Sequence, residues 1–124
     1  MSIIDLFAFP HFWMMIGLIS SLTVALLTVA FHKPQQWFLV HRVFVGIALV
    51  FGIIGVIILF RLHLTLLHAI LGLIGLILLV LSATGGFIAK KKTDPQLRSG
   101  HIWFGRVLYI YFLIVIIIGI FTFL

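Results

Sequence analysis

Residues 67–87 read LHAILGLIGLILLVLSATGGF. His68 is the one side chain in this stretch that can take up charge near neutral pH; the rest is hydrocarbon, glycine and a few hydroxyls. The run free of Lys, Arg, Asp and Glu extends from Leu62 to Ala89, past the ~20 residues that a helix needs to cross a bilayer. Three more such runs flank it, from Leu6 to His32, Val43 to Phe60 and Val107 to Leu124. Four spanning helices are therefore expected, roughly at 11–31, 38–60, 64–89 and 101–123. The connections HKPQQW (32–37), RLH (61–63) and KKKTDPQLRSG (90–100) are short. Pro34 stops the first helix, Asp94-Pro95 is turn chemistry, and Gly100 precedes the last helix. Short connections favour antiparallel neighbours. The expected fold is an all-α membrane protein, a single up-down-up-down bundle of four transmembrane helices over residues 1–124.

Composition supports lipid as the solvent. Of the 124 residues, 65% are hydrophobic and 8% charged, against about 25% charged in a soluble domain. The first residues carry no basic segment or small-residue cleavage site, so the first span is expected to be retained. The absence of cysteine excludes disulfides, thiolate metal sites, iron–sulfur clusters and covalent C-x-x-C-H haem attachment. The net charge of +6 lies at helix ends, which is a topology signal and gives no reason to expect nucleic acid. Lys33, Arg42, Lys90, Lys91, Lys92, Arg98 and Arg106 share one side, and Arg61 stands on the other. The positive-inside rule then places the Lys-rich loop in the cytoplasm and both termini outside. A prokaryotic plasma membrane is the expected location.

Six histidines remain to be explained: His11, His32, His41, His63, His68 and His101. A single histidine near a membrane surface is ordinarily an interfacial polar residue, and His32 and His63 fit that description. The other four are arranged differently. His11 and His68 begin helices that start on one side, and His41 and His101 begin helices that start on the other. They form two same-level pairs, one toward each face, and ionisable groups inside a membrane usually mark a site or a pathway. Zinc takes about four donors, and the only carboxylates are Asp5 and Asp94. A b-type haem takes two axial imidazoles and an apolar slot.

Glycines recur on the histidine faces. Gly72 and Gly105 each lie four residues after a histidine, and Gly75, Gly52 and Gly55 extend a thin surface. Such glycines make room for a flat macrocycle or simply allow close helix packing; the sequence leaves both open. Arg42 adjoins His41, Arg98 and Arg106 bracket His101, and Arg61 precedes His68 by seven residues. These cations suit haem propionates, with snorkelling to the headgroups as the alternative for Arg106.

The segments HFWMMIGL (11–18), HRVFVGIALVFGIIG (41–55), LHAILGLIGLILLVLSATGGF (67–87) and HIWFGRVLY (101–109) resemble the four-helix core of the cytochrome b561 family. The resemblance covers nearly the whole chain, and LHxxLG and HxxxGR are its most specific parts. It implies two b haems per chain, held by His11 with His68 and by His41 with His101, the pairing that topology also suggests. It departs from the family in one ligand motif, where the usual His-Pro is replaced by Pro10-His11-Phe12. The chain otherwise looks like a minimal, prokaryote-like member, and ascorbate is not carried over to it. The implied function is transmembrane electron transfer between an external donor and acceptor: a small reductant, a quinol or a redox partner protein. The alternatives are a haem-bearing membrane anchor within a larger oxidoreductase, or a small haem-free carrier or channel using histidine rings. A homodimer stays open as an assembly. Vertical spacing along the second helix puts the two sites roughly 22 Å apart, at 1.5 Å per residue.

Overall fold

The computed structural model describes residues 2–62 and 67–124, with the side chains of Arg61 and Leu62 outside the description. The helices are α1 (Ile3–Leu6), α2 (Pro10–Phe31), α3 (Trp37–Leu62), α4 (Leu67–Lys92) and α5 (Pro95–Phe123). The last four are long and apolar enough to cross a membrane. α2 packs along α3 and α4 along α5, and α3–α4 and α2–α5 contacts close the bundle. Two antiparallel hairpins thus form a four-helix bundle in which α2 faces α4, and α3 faces α5, across the centre.

The largest correction to the expected boundaries is at residues 90–100, expected as the longest loop. α4 continues through Lys92 and α5 begins at Pro95, so that the connection is only Thr93 and Asp94. Thr93 turns the chain in the left-handed region (φ 52). The Asp94 carboxylate then accepts the Gln96 N–H at 2.9 Å, and Pro95 occupies the first helical position. Asp-Pro is turn chemistry and equally an N-cap followed by a residue that needs no N–H partner. Lys90, Lys91 and Lys92 complete the last turn of α4, where cations offset the exposed carbonyls. The expected turn at 61–63 also starts too early, because α3 runs to Leu62; His63 and the expected start of the third span at 64 lie outside the described residues.

α1 was not expected. Ser2 and Asp5 form a reciprocal capping box around it, the S-x-x-D spacing that satisfies otherwise orphaned N–H groups. The Ser2 N–H and hydroxyl both donate to the Asp5 carboxylate, which holds its pKa below the usual value. The helix buries Leu6. Trp13 ties the following turn down by donating its indole N–H to the Phe7 carbonyl at 2.9 Å.

Leu18, Leu22, Ala48, Leu79, Leu108 and Phe112 form the core. Ile57, Leu67, Ile77, Val107 and Ile117 face outward, each more than half exposed, a surface suited to acyl chains and not to water. Gly75 and Gly52 serve close packing. A Cβ at Gly75 would lie 2.9 Å from the Phe112 and Tyr111 rings, and one at Gly52 would press on Leu18 and Leu76. Tyrosine and threonine hydroxyls at this depth are partnered, as a lipid environment demands. The Tyr111 hydroxyl donates to the Leu71 carbonyl at 2.6 Å, and Thr23 and Tyr109 share a hydrogen bond of 2.8 Å between α2 and α5.

Candidate functional site: two imidazole pairs

The bundle brings together the four histidines expected to pair, and it pairs them as expected. His11 on α2 meets His68 on α4 with 5.6 Å between ring centroids, and His41 on α3 meets His101 on α5 at 6.3 Å. In both pairs the rings stand nearly perpendicular, at 84° and 85°. Each pair therefore joins helices that face each other across the bundle centre, one from each hairpin.

The first pair is tightly specified. His11 Nδ1 lies 2.9 Å from the Gly55 carbonyl oxygen, and His68 Nδ1 lies 3.0 Å from that of Val115. A carbonyl only accepts, so each Nδ1 carries the proton and each neutral ring keeps its lone pair on Nε2. Those two Nε2 atoms face each other at 3.3 Å. Two lone pairs at that separation repel unless an electron-pair acceptor, a proton or a metal ion, sits between them. Metal–imidazole bonds of about 2 Å each need the nitrogens ~4 Å apart, so a side-chain adjustment of under about an ångström admits an ion. An apolar cleft of about 240 Å³ adjoins the pair, lined by Leu6, Phe9, Phe12, Met15, Ile116 and Phe123 among others. Gly72, beside the same imidazoles, is open: a Cβ there would meet nothing within 4 Å.

The second pair is looser. His41 Nδ1 lies 2.9 Å from the Ala25 carbonyl. His101 Nδ1 is buried without a hydrogen-bond partner, and its ring lies against the backbone at Gly86, one turn past Ser82. Gly105 on this level is open in the same sense as Gly72. Among the described residues no group of three or more His, Cys, Asp or Glu side chains comes together, so each level offers an imidazole pair as its donor set.

Gly86 and Gly119, which the sequence did not single out, form the seats of two of the imidazoles. A Cβ at Gly119 would fall 2.7 Å from His68 Nδ1, and one at Gly86 would fall 2.6 Å from His101 Cε1. Each imidazole lies against bare backbone on the other helix of its hairpin.

The basic residues sit at the rim. Arg42 and Lys90 both approach the Phe38 ring, at 5.8 and 4.5 Å from its centroid. Arg106 is exposed and lies over Trp103 at 4.9 Å, which is the snorkelling geometry. Arg98 is exposed on the first turns of α5, and the Arg61 side chain lies outside the described residues. His32 is exposed, takes the left-handed region at the end of α2 (φ 50) and stands edge-on to Trp37. It belongs to neither pair.

No family model, curated protein or solved structure matches this chain.

Proposed function

We propose that the protein is a diheme b-type membrane cytochrome of the b561 kind, moving electrons across the bilayer between an external donor and acceptor. The observation that carries this reading is the convergence of the His11 and His68 Nε2 atoms at 3.3 Å while both Nδ1 atoms are committed to carbonyls. Such a pair presents two neutral imidazole lone pairs in an apolar setting, a donor set that would suit a b haem. His11 with His68 would hold one haem and His41 with His101 the other. Gly72 and Gly105 would leave room for the macrocycle. When bound, the haems supply reversible one-electron chemistry at iron.

The chain's own part is positional. The carbonyls of Gly55, Val115 and Ala25 fix ring orientation and tautomer, and outer-shell bonds of this kind also raise ligand basicity. Leu6, Phe9 and Phe123 wall the cleft beside the first pair with hydrocarbon. His11 is level with Gly55, fourteen residues along α3 from His41, so the two levels are about 21 Å apart along the axis at 1.5 Å per residue. That separation covers much of the ~30 Å hydrocarbon core and leaves one site near each face. Arg42 and Arg98 stand on the side of the second pair, where they would neutralise propionates. With the positive-inside rule that side is cytoplasmic, and both termini are outside.

The direct test is a dithionite-reduced spectrum of purified protein with haem stoichiometry; about two extractable b haems per chain are expected. Transport is tested in liposomes loaded with ferricyanide and given an impermeant reductant outside. Haem-dependent bleaching supports a transmembrane wire. Two haems without bleaching would leave the membrane-anchor reading in its place, and a colourless protein would remove both.

A further inference from the structure

The acceptors of the imidazole protons obey one rule. Ala25, Gly55 and Val115 each stand fourteen residues after the histidine of their own helix, His11, His41 and His101 respectively. Within α2 and α3 the bonds are reciprocal: His11 uses the carbonyl fourteen past His41, and His41 uses the carbonyl fourteen past His11. In the other hairpin, His68 uses the carbonyl fourteen past His101. Fourteen residues make about 3.9 helical turns, so the histidine and the acceptor share one face at opposite ends of the span. The fourth position generated by the rule is fourteen past His68. That is Ser82, one helical turn before the Gly86 backbone against which the His101 ring lies, while His101 Nδ1 stays buried and unpaired.

We propose that the chain is two copies of one imidazole-presenting hairpin, α2–α3 and α4–α5, related by a pseudo-two-fold axis through both sites, and that the Ser82 carbonyl is the fourth acceptor, with Gly86 and Gly119 as positioning residues. The topology agrees: exchanging α2 with α4 and α3 with α5 maps the α3–α4 contact onto α5–α2 and each histidine onto its pair partner. Each hairpin then carries, by itself, two rings locked in the Nδ1–H tautomer with Nε2 turned toward the other hairpin. The seats differ in detail. In α2 and α3 the small residue is the acceptor, Ala25 or Gly55, whereas in α4 and α5 it lies one turn further on, at Gly86 or Gly119. Without a Cβ there, His68 reaches the Val115 carbonyl past the neighbouring backbone, and His101 is seated to use that of Ser82 in the same way.

This device rests on the proposed function for its use, since presenting Nε2 matters only if an acceptor binds there, but its geometry involves only the chain's own atoms. The test is long-range ¹H–¹⁵N correlation of the histidine rings in the full chain, expressed in a haem-deficient host and held in micelles at mildly alkaline pH. His11, His41, His68 and His101 should all be Nδ1–H, favoured by about tenfold, the equivalent of one net hydrogen bond. Exposed His32 serves as the internal reference. Gly86→Ala should shift the His101 ring and collapse its tautomer preference, while the adjacent Gly85→Ala, whose Cβ meets nothing, should leave it unchanged. Finding His101 as Nε2–H in the unsubstituted chain would overturn the inference, and so would a folded Gly86→Ala variant with an unaltered His101 ring. The unsubstituted spectrum decides even if that variant fails to fold. Four Nδ1–H rings in a chain that never takes up haem would sink the proposed function and leave the hairpin device standing.

Discussion

The two histidine pairs are built from the same parts and differ in closure. At His11–His68 both Nδ1 atoms are bound, the Nε2 atoms are in contact, and α1 lays Leu6 over the adjoining cleft. At His41–His101 the rings stand farther apart, one Nδ1 is unpaired, and the nearby rim carries Arg42 and Lys90 against Phe38. One level is walled by hydrocarbon and the other lies beside cations. The same ligand chemistry in these two settings should give two sites that answer differently to substitution and to charge.

If the pairs hold haem as proposed, the largest effect expected is loss of a whole cofactor. His68→Ala should remove one haem, about half of the reduced absorbance, and spare the second site; His101→Ala should do the converse. Haem extraction and quantification on both variants measure this. Equal loss at both sites in either variant would break the division into independent levels.

Next in size is the contrast between a filled and an open glycine. Gly119→Ala puts a methyl group onto the His68 ring, and overpacking of this kind costs about 1–3 kcal/mol. It should lower the thermal midpoint of the ligand-free protein and weaken the first site selectively. A Cβ at Gly72 would meet nothing within 4 Å, so the midpoint of Gly72→Ala should not fall, while its haem retention at the first site should. A Gly72→Ala variant that keeps full haem would show that no macrocycle uses that opening.

Charge should separate the sites more gently. Positive charge favours the reduced haem, so the second site should titrate at the higher potential. Arg42→Gln should lower that potential by no more than about 40 mV, in line with ~1 kcal/mol for an exposed charge, and leave the first site in place. Potentiometric titration read at two wavelengths tests this, and a reversed order would assign the control to burial.

The smallest effect concerns α1. The Ser2 N–H and hydroxyl hold the Asp5 carboxyl below its ordinary pKa. Because the folded value is the lower one, the capping contribution is present above the unfolded value and is lost as pH falls through the folded one. Acidification below the usual carboxylate range should therefore fray α1 and loosen the Trp13–Phe7 bond. Trp13 emission in a Trp37→Phe, Trp103→Phe background reports it, and Asp5→Asn should abolish the acid-dependent step.

Much of this architecture was legible in the residues because the bilayer imposes a length and forbids unpaired backbone. Uncharged runs place the four spans, short connections make them antiparallel, and the starting sides of the helices pair His11 with His68 and His41 with His101. Local signals left two boundaries ambiguous. Asp94-Pro95 serves a turn and a helix start equally well, and Ser2 with Asp5 caps a helix too short to show a hydrophobic period. The acceptor carbonyls of Ala25, Gly55 and Val115 were invisible for another reason: every residue has a carbonyl, so side-chain chemistry cannot mark which one an imidazole will reach. Gly86 and Gly119 read like any small residue in a membrane helix until the partner helix sets an imidazole against them. Sequence thus determined which rings meet and at what depth, because helix rise and membrane thickness are fixed lengths. Which nitrogen carries the proton, and which glycines stay open beside it, depended on the rotation and distance of neighbouring helices, which only their packing decides.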